Sequence, residues 1–133
     1  MNPRYPAVSH RAAHRCEYCH APEAIFNLSF EVEHVIPISR DGTDGEINLA
    51  LACRSCNLHK SDHVTGIDQI GKPAVRLFHP RQDDWEEHFR VDRETGRVEG
   101  WTEIGRATVA CLRMNEPLQL AARRQWIRLG FYE

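Results

Sequence analysis

The sequence predicts an α+β fold made of short elements and closed by a metal clip, and three observations lead there. The first is a set of four cysteines in two Cys-x-x-Cys pairs, Cys16/Cys19 and Cys53/Cys56, far apart in the chain. Two residues between cysteines let both thiolates reach one tetrahedral ion, and two such knuckles complete a four-sulfur zinc site with no position left open for chemistry. The second is the order strand, loop, short strand, helix that the segment around the knuckles carries. The third is a change of character after His63, where glycine and proline punctuation gives way to a hairpin signal and two helical stretches.

At 133 residues the chain suits one domain with a modest core, burying roughly two-thirds of its unfolded surface. No apolar run approaches the ~20 residues of a membrane span, and Met1 to Val8 lacks the layout of a secretory signal. The expectation is a soluble protein of the cytoplasm with no membrane partner. In that reducing setting paired cysteines favour metal over disulfides, and the fifth, Cys111, reads as a small apolar helix residue. A net charge of −2 argues against a protein that coats nucleic acid by bulk attraction. Of its 17 basic side chains only Lys60 and Lys72 are lysines. Arginine suits a planar grip on phosphate, although GC-rich coding produces the same bias.

Taken in order, residues 7–15 read as a short basic helix leading into the first knuckle, with His10, Arg11, His14 and Arg15. Phe30 to Ile36 is β-prone, Phe30 and Val32 alternating with Glu31 and Glu33, and Pro37 ends it. The turn formers from Ser39 to Gly45 make a loop that doubles back to Asn48 and the apolar run Leu49 to Ala52. Arg54 to Asp62 reads as a helix opening inside the second knuckle. Beyond His63, Gly66, Gly71 and Pro73 mark a loop or hairpin to Phe78, and 80–84 is a turn. Phe89–Asp92 and Arg97–Gly100 flank Arg93-Glu-Thr-Gly96 as a hairpin. Thr102 caps a helix to about Leu112, and Pro117 suits the first turn of another. That last helix shows Leu118, Ala121, Ala122, Trp126 and Leu129 on one face, with Arg123, Arg124 and Arg128 off it. Trp85, Phe89, Trp101 and Trp126 call for burial, so residues 64–133 read as a folded extension packed on residues 1–63.

The motifs Cys16-Glu-Tyr-Cys19, Val32-Glu-His-Val-Ile-Pro37, Asp41-Gly42, Asn48-Leu49 and Cys53-Arg-Ser-Cys-Asn-Leu-His-Lys60 together resemble an HNH endonuclease of the cysteine-bearing kind. The resemblance covers roughly residues 10–63. It implies a ββα-metal finger, a strand pair and a helix that hold one divalent ion at the scissile phosphate, here stapled by the structural zinc. The extension adds a β-hairpin and two helices. The resemblance makes His34 the first His of the family name and Asn48 its Asn; Asn57 stands where the second His is usual, a departure that keeps an oxygen ligand.

The implied chemistry is metal-dependent hydrolysis of phosphodiester bonds, with double-stranded DNA as the expected partner. Such a reaction needs an activated water and positive charge near the phosphorane and leaving oxygen. His34 is the expected general base. Glu33 and Asn57 are the expected hard ligands for magnesium or manganese. By family analogy Asn48 holds the loop and the His34 ring through hydrogen bonds. His59 and Lys60, close to Asn57, are candidate nucleic-acid contacts. One geometric conflict is visible already: neighbours in a regular strand point to opposite faces, so Glu33 and His34 share a target only where the strand ends.

Arg76, Arg81, Arg90, Arg93, Arg97, Arg106 and the last-helix arginines either grip the phosphate backbone or form solvated faces beside Asp83, Asp84, Glu86, Glu87 and Glu94. Two alternatives to a DNA nuclease stay open at this level. One is a catalytically inactive, zinc-stabilised module that binds nucleic acid or protein; the other is a nuclease acting on RNA.

Overall fold

The computed structural model describes residues 2–132. Helix α1 (Tyr5–Arg11) carries Pro6 as its second residue, where a fixed φ and a missing N–H suit a first turn. It is shorter than the basic stretch suggests. Ala13 and His14 adopt left-handed backbone, φ 54° and 55°, and swing the chain into the first knuckle. Strand β1 (Glu31–His34) pairs antiparallel with β2 (Leu49–Ala52) in the register Glu31↔Ala52, Val32↔Leu51, Glu33↔Ala50 and His34↔Leu49. All four residues of β2 are buried, as expected of an apolar run covered on both sides.

The loop between these strands folds back on itself at Gly42. A side chain there would place its Cβ 1.7 Å from the Ile36 carbonyl oxygen, so only glycine fits the approach. Helix α2 (Arg54–Lys60) opens on Cys53, whose sulfur accepts the Cys56 backbone N–H at 3.4 Å. The second knuckle is therefore also the cap of the helix.

Beyond it lie two short hairpins and three helices. Strands β3 (Thr65–Gly66) and β4 (Val75–Arg76) pair, then comes a single turn, α3 (Trp85–His88), which sequence reading did not anticipate. Strands β5 (Phe89–Val91) and β6 (Val98–Gly100) form the expected hairpin. Helix α4 (Glu103–Cys111) is capped by the Thr102 hydroxyl, which accepts from the Gly105 N–H at 3.0 Å, and α5 (Pro117–Arg128) begins on its proline. The mixture of short helices and two-stranded sheets is an α+β architecture.

A shared apolar cluster joins the two halves of the sequence. Val8, Tyr18, Phe30, Leu49 and Leu51 pack in it with Leu77, Phe78, Phe89, Val98, Leu112 and Met114. Phe78 sits edge-on to Tyr18 and to Phe89, at 6.4 and 5.1 Å between ring centroids. Polar fasteners reinforce the seam: the Trp85 indole donates to the Tyr18 carbonyl and the Tyr132 hydroxyl to that of Cys19, both at 2.8 Å.

Two expectations about burial fail. Trp101 is 54% exposed, with the Arg90 guanidinium 4.4 Å above its ring, a cation–π contact that needs no burial. In α5 the assigned faces hold only in part: Arg124 and Arg128 are exposed and Trp126 packs against the core, but Leu118 and Leu129 are exposed and Arg123 is fully buried. Among the described residues, no helix is long and apolar enough to cross a membrane.

Candidate metal centre and reactive face

The four cysteines form a metal-binding cluster. Their sulfurs all lie within 4.8 Å of one another, and those of Cys19 and Cys53 are 3.7 Å apart. A tetrahedral zinc at about 2.3 Å from each sulfur sets its ligands about 3.8 Å apart, so the cluster is of the size such an ion needs. All four side chains are buried. Hydrogen bonds from Cys16, Cys53 and Cys56 hold the Cys19 thiol well below its ordinary range, while contacts with Cys16 and Cys19 push Cys53 and Cys56 up. Sulfurs so close cannot all ionise without a cation to share.

The hairpin separates the other expected site residues by strand alternation. Glu33 faces α2 and is buried. Its carboxylate meets the Lys60 ammonium at 3.0 Å and accepts the Tyr18 hydroxyl at 2.6 Å. Burial raises the Glu33 carboxyl, and Lys60 and Tyr18 oppose the rise without cancelling it. Two residues earlier on the same face, Glu31 is exposed and accepts the Asn57 side-chain amide at 2.6 Å. The expected ion-binding pair of Glu33 with Asn57 is thus not assembled. Each has a different partner, and Glu33 is already neutralised by a buried cation.

His34 points the other way. Its side chain is 27% exposed, and Nε2 lies 2.9 Å from a carboxylate oxygen of Asp44 in the returning loop. Arg4 stands 4.0 Å from the second Asp44 oxygen. Asn48 fastens the loop but does not touch the ring. Its Oδ1 accepts the Ile36 N–H at 2.8 Å, and its Nδ2 donates to the carbonyls of Ile36 and Thr43 at 2.9 and 2.8 Å. The ring contact expected of Asn48 belongs to Asp44. That residue is one of several turn formers in the loop, and nothing in its spacing singles it out.

Lys60, expected at the nucleic-acid surface, points inward instead. Only 1% of it is exposed, and its ammonium also donates to the Val35 carbonyl at 2.9 Å. His59 is half-buried beside Ser55, at 3.4 Å. Several extension arginines are likewise occupied: Arg76 by Asp83, Arg81 by Glu17 and Arg106 by Asp68. Sequence reading also missed Glu23, a buried hub whose carboxylate takes the Tyr5 hydroxyl, the His14 ring and the Phe30 N–H. It ties the first helix to the entry of β1.

Residues 16–63 match the HNH endonuclease family. No curated protein and no solved structure gives a significant match to the chain.

Proposed function

We propose that the HNH segment, residues 16–63, is the catalytic part of an endonuclease that hydrolyses phosphodiester bonds in double-stranded DNA, with His34 as general base. The observation that carries this reading is the geometry at His34 inside the family match. One ring nitrogen is engaged by Asp44, which leaves Nδ1 as the nitrogen able to take a proton from water. Asp44 fixes the ring, and Asn48 fixes the loop that carries Asp44 by holding Ile36 and Thr43. The four-cysteine centre, which we assign to zinc, holds the hairpin and α2 together and takes no part in the chemistry. Magnesium or manganese would supply positive charge to a phosphorane and its leaving oxygen. The residues expected to hold that ion do not fit it as arranged, because Glu33 is committed to Lys60 and Tyr18.

That commitment favours a second reading, a metal-stapled binding module that has given up catalysis. A carboxylate committed to a buried ion pair is no longer free to hold a divalent ion. The two readings separate in one assay. Purified protein is incubated with supercoiled plasmid, single-stranded DNA and RNA, each with magnesium, with manganese and with neither. The nuclease reading expects plasmid to be nicked or linearised only in the presence of a divalent ion. Cleavage of RNA alone would move the substrate, and no cleavage of any substrate gives the answer to the binding module.

A further inference from the structure

The two cysteine knuckles are supported in different ways. Residues 53–56 open α2 and are held by the first hydrogen bonds of that helix, the Asn57 N–H on the Cys53 carbonyl at 2.9 Å and the Cys56 N–H on the Cys53 sulfur at 3.4 Å. Residues 16–19 lie in a turn outside any helix or strand, and the chain leaves them through His20 in left-handed backbone, φ 65°. A non-glycine residue is strained in that region and stays there only where its surroundings hold it.

Those surroundings come from the extension. The Glu17 carboxylate is paired with Arg81, and it also accepts the Leu51 N–H of β2 at 2.9 Å. The Tyr18 carbonyl accepts the Trp85 indole N–H and the Cys19 carbonyl the Tyr132 hydroxyl, both at 2.8 Å. The His20 ring stacks on that of Trp85 with 4.0 Å between centroids. Both donors are themselves anchored: Trp85 lies against Phe89, and Tyr132 is buried and stacked on Trp126 of α5. The turn at 80–84, α3 and the residues after α5 thus converge on the first knuckle. A peptide unit is rigid, and the two units that flank Cys19 carry the Tyr18 and Cys19 carbonyls. Pinning both fixes φ and ψ of Cys19, and with them the direction of its side chain.

We propose that Trp85 and Tyr132 are positioning residues of the four-cysteine metal centre. By pinning the peptide units on either side of Cys19 they preset its sulfur for the ion, so the extension completes the metal site from outside its ligand sphere. Metal and extension are then linked, each strengthening the hold of the other. The linkage requires the zinc assigned to the cysteine centre and is independent of any nuclease activity.

The test times the release of zinc to a chromogenic chelator from full-length wild type, Tyr132→Phe, Trp85→Phe and Thr102→Ala. Tyr132→Phe loses only the hydroxyl, and Trp85→Phe loses the indole N–H while keeping an aromatic ring for His20. Thr102→Ala weakens the extension at the cap of α4, where the hydroxyl bonds Gly105 and His88 and no knuckle residue. A single hydrogen bond is worth about a threefold to tenfold change, so Tyr132→Phe and Trp85→Phe are each expected to release zinc about three to ten times faster than wild type. Thr102→Ala is expected to release it at the wild-type rate. Equal rates in all four proteins, or release from Thr102→Ala as fast as from Tyr132→Phe, would overturn the proposal. Should Trp85→Phe fail to fold, Tyr132→Phe against Thr102→Ala decides by itself. Wild type that purifies without zinc would instead overturn the assignment of the centre, and the positioning role with it.

Discussion

Glu33 and His34 are neighbours in one strand, yet they live in different chemical worlds. Glu33 lies beneath α2 in a buried network with Lys60 and Tyr18, whereas His34 stands on the far side of the hairpin beside an exposed aspartate. The covalent distance between them is one peptide bond. Strand alternation multiplies that into a difference in solvent, charge and freedom to react. On the α2 face, polar side chains are satisfied by the protein itself and stabilise it. On the other, His34 keeps one nitrogen unclaimed by the protein. A residue's role here follows from which face it occupies more than from its type.

The α2 face is where removal should hurt folding most. Cys53→Ser takes away one sulfur ligand while leaving a hydroxyl able to cap α2, so it isolates the loss of the metal. Structural zinc contributes on the order of 10 kcal/mol to small metal-stapled folds, so the variant is expected to lose its metal and its cooperative thermal transition. Elemental analysis with circular dichroism checks this, and a full zinc complement with an unchanged transition would sink the assignment. Next in size is the buried pair. Glu33→Ala leaves Lys60 uncompensated and should cost about 3–5 kcal/mol in chemical denaturation. The double variant Glu33→Leu with Lys60→Met should recover most of that loss, since burying a charge pair gives little net stability. If the double variant is as unstable as the single, charge desolvation is not what governs this face.

Asn48→Ala sharpens the contrast from the other side. It removes three hydrogen bonds that close the loop over Ile36, for an expected loss of about 1–3 kcal/mol, while zinc content stays full. Denaturant titration beside metal analysis separates the two effects. The smallest expected effect is a pH dependence at Glu23. Burial alone would raise its carboxyl, but hydrogen bonds from the His14 ring, the Phe30 N–H and the Tyr5 hydroxyl outweigh it and hold the group below the usual carboxylate range. A depressed folded-state value means stability that is fully present above the unfolded value of about 4.3 and is lost as pH falls through the folded one. Wild type should therefore weaken in acid by more than Glu23→Gln does. Parallel acid curves for the two proteins would remove Glu23 from the account.

What was legible in the sequence follows the same division. The two knuckles were readable because metal coordination fixes both residue type and spacing, and the cluster needs nothing else to be recognised. Strand β2 was readable to the residue, as an unbroken apolar run between Asn48 and Cys53. The Thr102 cap and Pro117 marked helix starts by purely local chemistry. Partner choice was not readable. Nothing local says that Lys60 turns inward to Glu33 instead of outward to a phosphate, because its burial depends on Tyr18 and β1 arriving from elsewhere. Arg123 misled for the same reason: amphipathic counting places arginine outside, and the Gly96 and Met114 carbonyls that receive its guanidinium lie outside the helix. Asp44 became visible only once the loop closed.

The most direct measurement of the central claim is cleavage of supercoiled plasmid by His34→Ala beside wild type, with zinc content and melting temperature recorded on the same samples. If His34 is the base on a face separate from the metal centre, the variant should cut about a hundredfold more slowly or worse while zinc and melting temperature stay at wild-type values. Cutting at the wild-type rate by His34→Ala, in protein with full zinc, would contradict that claim.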